Sequence, residues 1–508
     1  MAGGTSQWQP LQGVGSLPVD ELKPMTLLFD PGSIKRFKSA IRQIPGYPMG
    51  EDLPIREMVF ESGALFRLPT LLSLAGARPE HPLVVVMDQT PMRRGEANLK
   101  SLILATLSEA HWKPEPVWLE PDATGQVHTD FPQINRVKAK LSPDVAVLSV
   151  GSGIVTDIAK HATHLYQQEH TAAPLPLVVY QTANSVSAYT SNMAPVFVDG
   201  VKRTLPSRYP DVLVCDLETL SSAPRPMTVA GVGDVLAAFG SYADWSLAHQ
   251  LGLDPTQTEF AQTLMGPLDD LFLAHAAAIR DGTLEGMRVL AQVIALAGLA
   301  MSLSHATAPL SGFEHVISHV LDLVAEQAHR PLAQHGTQVA LATLLTTEAY
   351  RIFFDEFEPA EINLEKCYPT ASQMRTRIEA AFNALDPSGR VAAECWADYH
   401  IKLEAWHAQR NDFESFLRAW PALRPKLQAL VKPSQLAARI LSEVGSPLSF
   451  AELTPPPTEA EVKFAFLNAP LIRRRLTLGD VFVFLDWDRE ALWARVNRAR
   501  SGLRQPGV

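Results

Sequence analysis

One carboxylate and two imidazoles in the second half of this 508-residue chain could hold a metal ion: Asp234 in GVGDVLAAF, His315 in SGFEHVISH and His335 in AQHGTQV. Such a set suits Zn²⁺ or another first-row ion and leaves at least one position open for a substrate. Asp234 falls early in a predicted helix. His315 follows a Ser311-Gly312 turn at or near a helix start, and His335 precedes Gly336 and another helical run. His319 comes four residues after His315, a step that returns to the same helix face. Spacing alone does not single out these residues among 15 histidines. A histidine beside an apolar helix is more often a satisfied core or surface residue.

A second pattern suits a phosphate. The run DVAVLSV (144–150) leads directly into Gly151-Ser152-Gly153 and then IVTDIAK (154–160). Glycines between a strand and a helix permit unusual dihedrals and a close backbone approach to a diphosphate. The N–H groups of the new helix then face the anion. A bare G-x-G also fits a plain tight turn, and Thr156 stands where a dinucleotide fingerprint would place a third Gly or Ala. Thr182-Ala183-Asn184-Ser185 follows the next strand in the same way, at the carboxyl edge where ligands bind open α/β sheets. Asp88 ends a third strand. There it could hold a ribose hydroxyl, which favours NAD over NADP, or simply cap a helix or turn.

The elements that must position these groups divide the chain. Residues 1–56 are rich in Gly and Pro and read as an N-terminal extension with little independent structure. Short apolar runs at Met58–Phe60, Pro82–Met87, Asp144–Val150, Leu175–Tyr180 and Val212–Cys215 alternate with helical patterns, among them Gly63 to Ala75. That alternation predicts a Rossmann-like α/β domain over 57–216, with a parallel sheet covered on both faces. From 217 to 508 long Ala/Leu-rich segments dominate, including Val229–Leu251, Leu284–Ser304 and Gly336–Arg351. They predict an all-α domain, in which TPPP (454–457) is a loop before a last helical pair.

Composition narrows the function classes. A net charge of −10 argues against a general nucleic-acid binder. Cys215, Cys367 and Cys395 are few and form no CxxC, as in a reducing compartment. The N-terminus lacks the basic start and apolar run of a signal peptide. Val289 to Ser304 is short for a membrane span and reads as a buried core helix. The expected location is the cytoplasm.

Several motifs in order carry a family likeness: VGSGIVTDIAKH (150–161), QTANSVSAYTSNMAPVFVDGVKRTLPSRYPD (181–211), SAPRPMTVAGVGDVLAAFGSYADWSLAHQL (222–251), PLSGFEHVISHVLD (309–322), HGTQVAL (335–341) and LIRRRLTLGDVF (471–482). From about residue 57 to 490 the chain resembles the glycerol-1-phosphate dehydrogenases, especially the AraM-like branch, of the dehydroquinate synthase-like and iron-containing alcohol dehydrogenase superfamily. The resemblance implies that Gly151, Ser152 and Gly153 bind the diphosphate of NAD or NADP, with Asp157 and Lys160 supporting the turn. Thr182 and Ser185 would contact the nicotinamide half. Asp234, His315 and His335 would hold a divalent ion, expected to be zinc, with nickel and iron as alternatives. His319 would line the substrate site and relay a proton.

The sequence departs from the family at Ser187-Ala188, where relatives carry an acid that faces the substrate. Ser187 is the candidate to donate a hydrogen bond in its place. Lys202 and Arg203 are the candidates for a substrate phosphate, or else a solvated loop pair. The implied reaction is reduction of dihydroxyacetone phosphate to glycerol 1-phosphate by a homodimer. Competing readings are a dehydrogenase of an unphosphorylated polyol or alcohol, a dehydroquinate synthase-like cyclase, and a divergent nucleotide-binding protein without turnover. Asp234 speaks against the cyclase, which normally carries Glu there.

Overall fold

A computed structural model describes residues 27–170, 174–198 and 201–503. Ten strands are formed among the described residues: β1 (Glu57–Glu61), β2 (Pro82–Met87), β3 (Arg93–Arg94), β4 (Ala97–Asn98), β5 (Lys113–Trp118), β6 (Ala146–Gly151), β7 (Leu177–Gln181), β8 (Met193–Val198), β9 (Val201–Pro206) and β10 (Val212–Asp216). Six of them make one parallel sheet in the order β1-β10-β7-β6-β2-β5. The strands alternate their side chains between two apolar layers. Leu83, Val85 and Met87 of β2 face the helices Leu68–Ala75 and Leu99–Glu109, whereas Val84 and Val86 face Phe131–Lys138 and Gly153–His170. The central strands are buried on both faces, Val179 of β7 and Leu213 and Cys215 of β10 reaching the helical core instead, so they read as continuous apolar runs rather than alternating ones.

β5 escaped the sequence reading. Its KPEPVW carries Pro114 and Pro116, which cannot donate to a ladder, but the strand sits at the sheet edge, where that loss is tolerated. The β8–β9 antiparallel hairpin was likewise unread.

No strand follows Asp216 among the described residues. The helices after it bury one large core, and the predicted Val229–Leu251 helix is in fact two, Arg225–Leu236 and Ala238–Gln250. The expected last pair is three helices, Glu459–Asn468, Leu478–Phe484 and Arg489–Gly502. Leu284–Leu303 is long and apolar enough to cross a membrane, yet 83% of its apolar window is buried inside the protein. It is a central core helix.

The described part of the N-terminal extension is structured, contrary to expectation. Helix Ile34–Ile41 buries Ile34, Phe37 and Ile41, and Ile44, Leu53 and Ile55 follow them into the helical core. The apolar spacing was legible, but Gly and Pro on either side obscured it. Residues 1–26 of that extension lie outside the described residues.

Candidate metal and dinucleotide site

A cavity of about 960 Å³ opens where the carboxyl ends of the strands meet the helices. It runs from Asp88 and Thr90, past Ser152–Ile154 and Thr182–Ala188, to Asp234, His315, His319 and His335. A site of that size and position suits a dinucleotide with a small substrate beyond it.

The glycine turn forms as the sequence predicts, for one of its two expected reasons. β6 ends at Gly151, and an 18-residue helix starts at Gly153. Neither glycine has a left-handed φ; what they supply is room. A Cβ on Gly151 would lie 2.4 Å from Val155, and one on Gly153 would lie 2.4 Å from Val186. Ser152, Gly153 and Asp157 line the cavity, as do Thr182 and Ser185, while Gly151 only packs behind them.

Lys160 does not line the cavity. It is fully buried, pairs with Asp157 at 3.0 Å, and donates to the carbonyls of Ala188, Ser191 and Met193 at 2.6, 2.9 and 2.9 Å. Burial pushes the Asp157 carboxyl up to about 6 against the pull of Lys160. The pair therefore anchors the segment that follows Ser187. Asp88 faces the other end of the cavity but is not free: Lys100 pairs with its carboxylate at 2.8 Å, and Thr90 donates to it at 2.9 Å.

Asp234, His315 and His335 converge. Their ligand atoms lie within 4.8 Å of one another. Asp234 Oδ1 is 3.5 Å from His315 Nε2 and 4.0 Å from His335 Nε2. Three backbone contacts at glycines allow this. A Cβ on Gly231 would lie 2.1 Å from the Asn184 carbonyl oxygen, one on Gly233 2.2 Å from that of Gly336, and one on Gly336 1.9 Å from that of Ala230. The GVGD and HG motifs are thus the seam that brings Asp234 beside His335.

The donors suit a divalent ion. Burial foremost holds the His335 and His319 imidazoles well below the usual histidine range, so both are neutral and able to donate a lone pair. At His315 burial pulls the same way, but hydrogen bonds to Asp234 and Glu314 outweigh it. Both imidazoles are oriented from behind. Glu314 Oε1 is 3.0 Å from His315 Nδ1, and Ser318 Oγ is 3.0 Å from His335 Nδ1. The tautomers that donate from Nδ1 leave both Nε2 atoms free for the ion. Glu314 and Ser318 were not found in the sequence; the signal was an acid adjoining a candidate ligand histidine. Glu314→Gln is expected to weaken metal affinity about 10- to 100-fold, as measured by competition with a fluorescent chelator.

The substrate end holds Ser187, His319 and Lys202, but not Arg203. Ser187 donates from N and Oγ to Asp234 Oδ2 at 3.0 and 3.1 Å and so steadies that carboxylate. Lys202 lines the cavity, 3.6 Å from Asp322. Arg203 points away and is ion-paired with Glu394 and Asp398. Consecutive strand residues face opposite sides, so only one of the two can reach the cavity.

A parallel sheet, a helical domain and an Asp-His-His trio at their junction define an oxidoreductase of dehydroquinate synthase-like architecture. Residues 59–224 match the family model of iron-containing alcohol dehydrogenases. Glycerol-1-phosphate dehydrogenase (NAD(P)+) of Bacillus subtilis (strain 168) is 29% identical over 331 residues, which cover 64% of this chain and 77% of the relative. The enzyme of the same name from Bacillus velezensis is 31% identical over 247 residues, 49% of this chain and 58% of the relative. A probable glycerol dehydrogenase from Sinorhizobium meliloti 1021 superposes with a TM-score of 0.52 at 16% identity, covering 89% of this chain and 98% of that one. Maleylacetate reductase from Rhizobium sp. strain MTP-10005 gives 0.50 at 17%, covering 91% and 100%. At these identities the solved structures speak to the fold alone. The chain is thus similar to the iron-containing alcohol dehydrogenases over residues 59–224 and to glycerol-1-phosphate dehydrogenases over a longer stretch.

Proposed function

We propose that the protein is a metal-dependent sn-glycerol-1-phosphate dehydrogenase that uses NAD(P)H to reduce dihydroxyacetone phosphate. The observation that carries this reading is the convergence of Asp234, His315 and His335 at the far end of a cavity that begins at the glycine turn. The N-terminus of helix Gly153–His170 receives the cofactor diphosphate, and the hydroxyls of Thr182 and Ser185 orient the nicotinamide half. An ion held by the trio supplies Lewis acidity toward the substrate oxygen. Ser187 keeps Asp234 aligned for that task. His319, neutral and beside His335, exchanges the proton of the substrate hydroxyl with solvent.

The test is NADH oxidation with dihydroxyacetone phosphate, with and without chelator. Stoichiometric NADH consumption that the chelator stops is the expected result. A chelator-insensitive rate overturns the metal role, and no turnover with any phosphorylated ketone or polyol overturns the substrate. Net consumption also separates a dehydrogenase from a cyclase, which returns its cofactor unchanged.

The Asp88–Lys100 pair bears on cofactor choice. A bare carboxylate at that strand end would repel the 2′-phosphate of NADP; one already paired repels it less. Both cofactors should therefore be accepted. Lys100→Met, which keeps the aliphatic stem, is expected to lower the NADPH-to-NADH ratio of kcat/KM by about tenfold through the charge left on Asp88. An unchanged ratio sinks this account of Asp88.

A further inference from the structure

We infer that Gln126 is a positioning residue for the metal site: reaching across the cavity from the sheet half, it holds the stretch of chain that delivers His335. The inference rests on the metal role proposed above and extends it to a residue of the other half.

His335 is the least enclosed of the trio. Its side chain is 20% exposed, against 9% for His315 and 5% for Asp234, so packing alone holds it least. It opens helix His335–Glu356, and what precedes it is irregular. After helix Phe313–Gln327 the N–H groups of Ala328, His329 and Arg330 still bond back to that helix. Beyond them Pro331 has no N–H to give. Among the described residues no backbone-to-backbone hydrogen bond holds Pro331, Leu332 or Ala333. Ala333 packs into the helical core, but apolar contact is non-directional and does not orient a peptide.

Both polar main-chain groups of Leu332 go to one side chain. Gln126 Nε2 donates to the Leu332 carbonyl at 3.1 Å, and the Leu332 N–H donates to Gln126 Oε1 at 2.8 Å. A planar amide that meets the N–H and the C=O of one residue acts like a strand partner and fixes direction as well as position. Gln126 and the run Leu332–His335 all line the cavity, so the bridge is part of its wall.

Gln126 is itself held firmly. Asp122 N donates to the Gln126 carbonyl at 2.8 Å, and Asp122 Oδ1 accepts from the N–H groups of Thr124 and Gln126 at 2.8 and 3.1 Å. The side-chain amide of Gln133 ties down the root of the loop through the Glu120 N–H and carbonyl, at 3.1 and 3.0 Å. His128 is a second strut. Its Nε2 lies 3.2 Å from Asp122, and its Nδ1 lies 3.2 Å from Glu326, on the helix that carries His315. One loop of the sheet half thus braces the approach to one candidate ligand and the helix of another. Groups that orient ligands in this way act on how tightly an ion is kept.

The experiment compares wild type, Gln126→Met and Gln126→Glu as full-length zinc-loaded proteins. Release of Zn²⁺ to a fluorescent chelator is timed, and Tm is measured on the zinc-free forms. Methionine fills the same space without either hydrogen bond and should speed release on the order of tenfold. Glutamate can still accept from the Leu332 N–H and should fall between. The zinc-free Tm should not change, and turnover of the methionine variant should recover when Zn²⁺ is added in excess. Wild-type release from the methionine variant overturns the assignment. So does faster release matched by a lower zinc-free Tm, which would make the bridge an ordinary stitch between the halves. If the methionine variant does not fold, the glutamate variant decides: intermediate release supports the assignment, and unchanged release refutes it. A wild type that takes up no stoichiometric zinc overturns the metal-dependent reading and the brace with it, whereas a zinc-holding wild type with unaffected variants overturns the brace alone.

Discussion

His335→Ala is expected to lower turnover at least about a thousandfold, which corresponds to the several kcal/mol that a bound ion contributes at a reacting oxygen. The purified variant should lose its metal on gel filtration. Asp234 and His315 alone make an incomplete set, and packing cannot supply the missing lone pair. His319 does not stand in, because its partners in a ligand-like cluster are Asp322 and His335 itself rather than Asp234 and His315. Cofactor binding, followed by NADH fluorescence, should survive, since the glycine turn and Thr182 are held by contacts that do not involve His335. A variant that keeps its metal and its rate removes the trio from the mechanism.

Gly336→Ala should be nearly as damaging, although it alters no functional group. The added Cβ would meet the Ala230 carbonyl oxygen at 1.9 Å and its carbon at 2.6 Å, backbone atoms that cannot rotate aside. The helices that carry Asp234 and His335 must then separate. Overpacking of this kind costs about 1–3 kcal/mol, and a displacement of about 1 Å at a reacting centre costs about a hundredfold in rate. Thermal unfolding should show Tm lowered by several degrees, and kcat/KM should fall by about two orders of magnitude. Gly240→Ala is the matched control. It lies on helix Ala238–Gln250, and its new Cβ would find nothing closer than 3.6 Å. If both variants behave alike, the glycine seam is not what places the ligands.

How much of this was readable beforehand differs from element to element. β2, β6, β7 and β10 were legible because burial on both faces leaves an unbroken apolar run. β5 was not, because an edge strand need not look like one. The candidate trio was recognisable through the order of its motifs, not through spacing, since 81 residues separate Asp234 from His315 and only the crossing of their helices joins them.

Glu314 and Ser318 were hidden for a related reason. A residue that orients a ligand is defined by what stands in front of it, and sequence does not show that. Pairing Lys202 with Arg203 failed on local geometry: neighbours on β9 face opposite ways, one to the cavity and one to Glu394. Lys160, expected to support the glycine turn at the cofactor, instead fastens the chain beyond Ser187.

The main-chain contacts at Gly231, Gly233 and Gly336 also limit how the enzyme can move. Where Gly231 meets the Asn184 carbonyl of the loop after β7, the sheet half and the helical half touch without a side chain between them and have no lubricating layer along which to slide, while the Gly233–Gly336 and Gly336–Ala230 contacts lock two helices of the helical half together. At the far rim the halves are joined instead by side chain, Gln126 donating to the Leu332 carbonyl and accepting from its N–H, a tie that can be made and broken where the main-chain contact at Gly231 cannot yield.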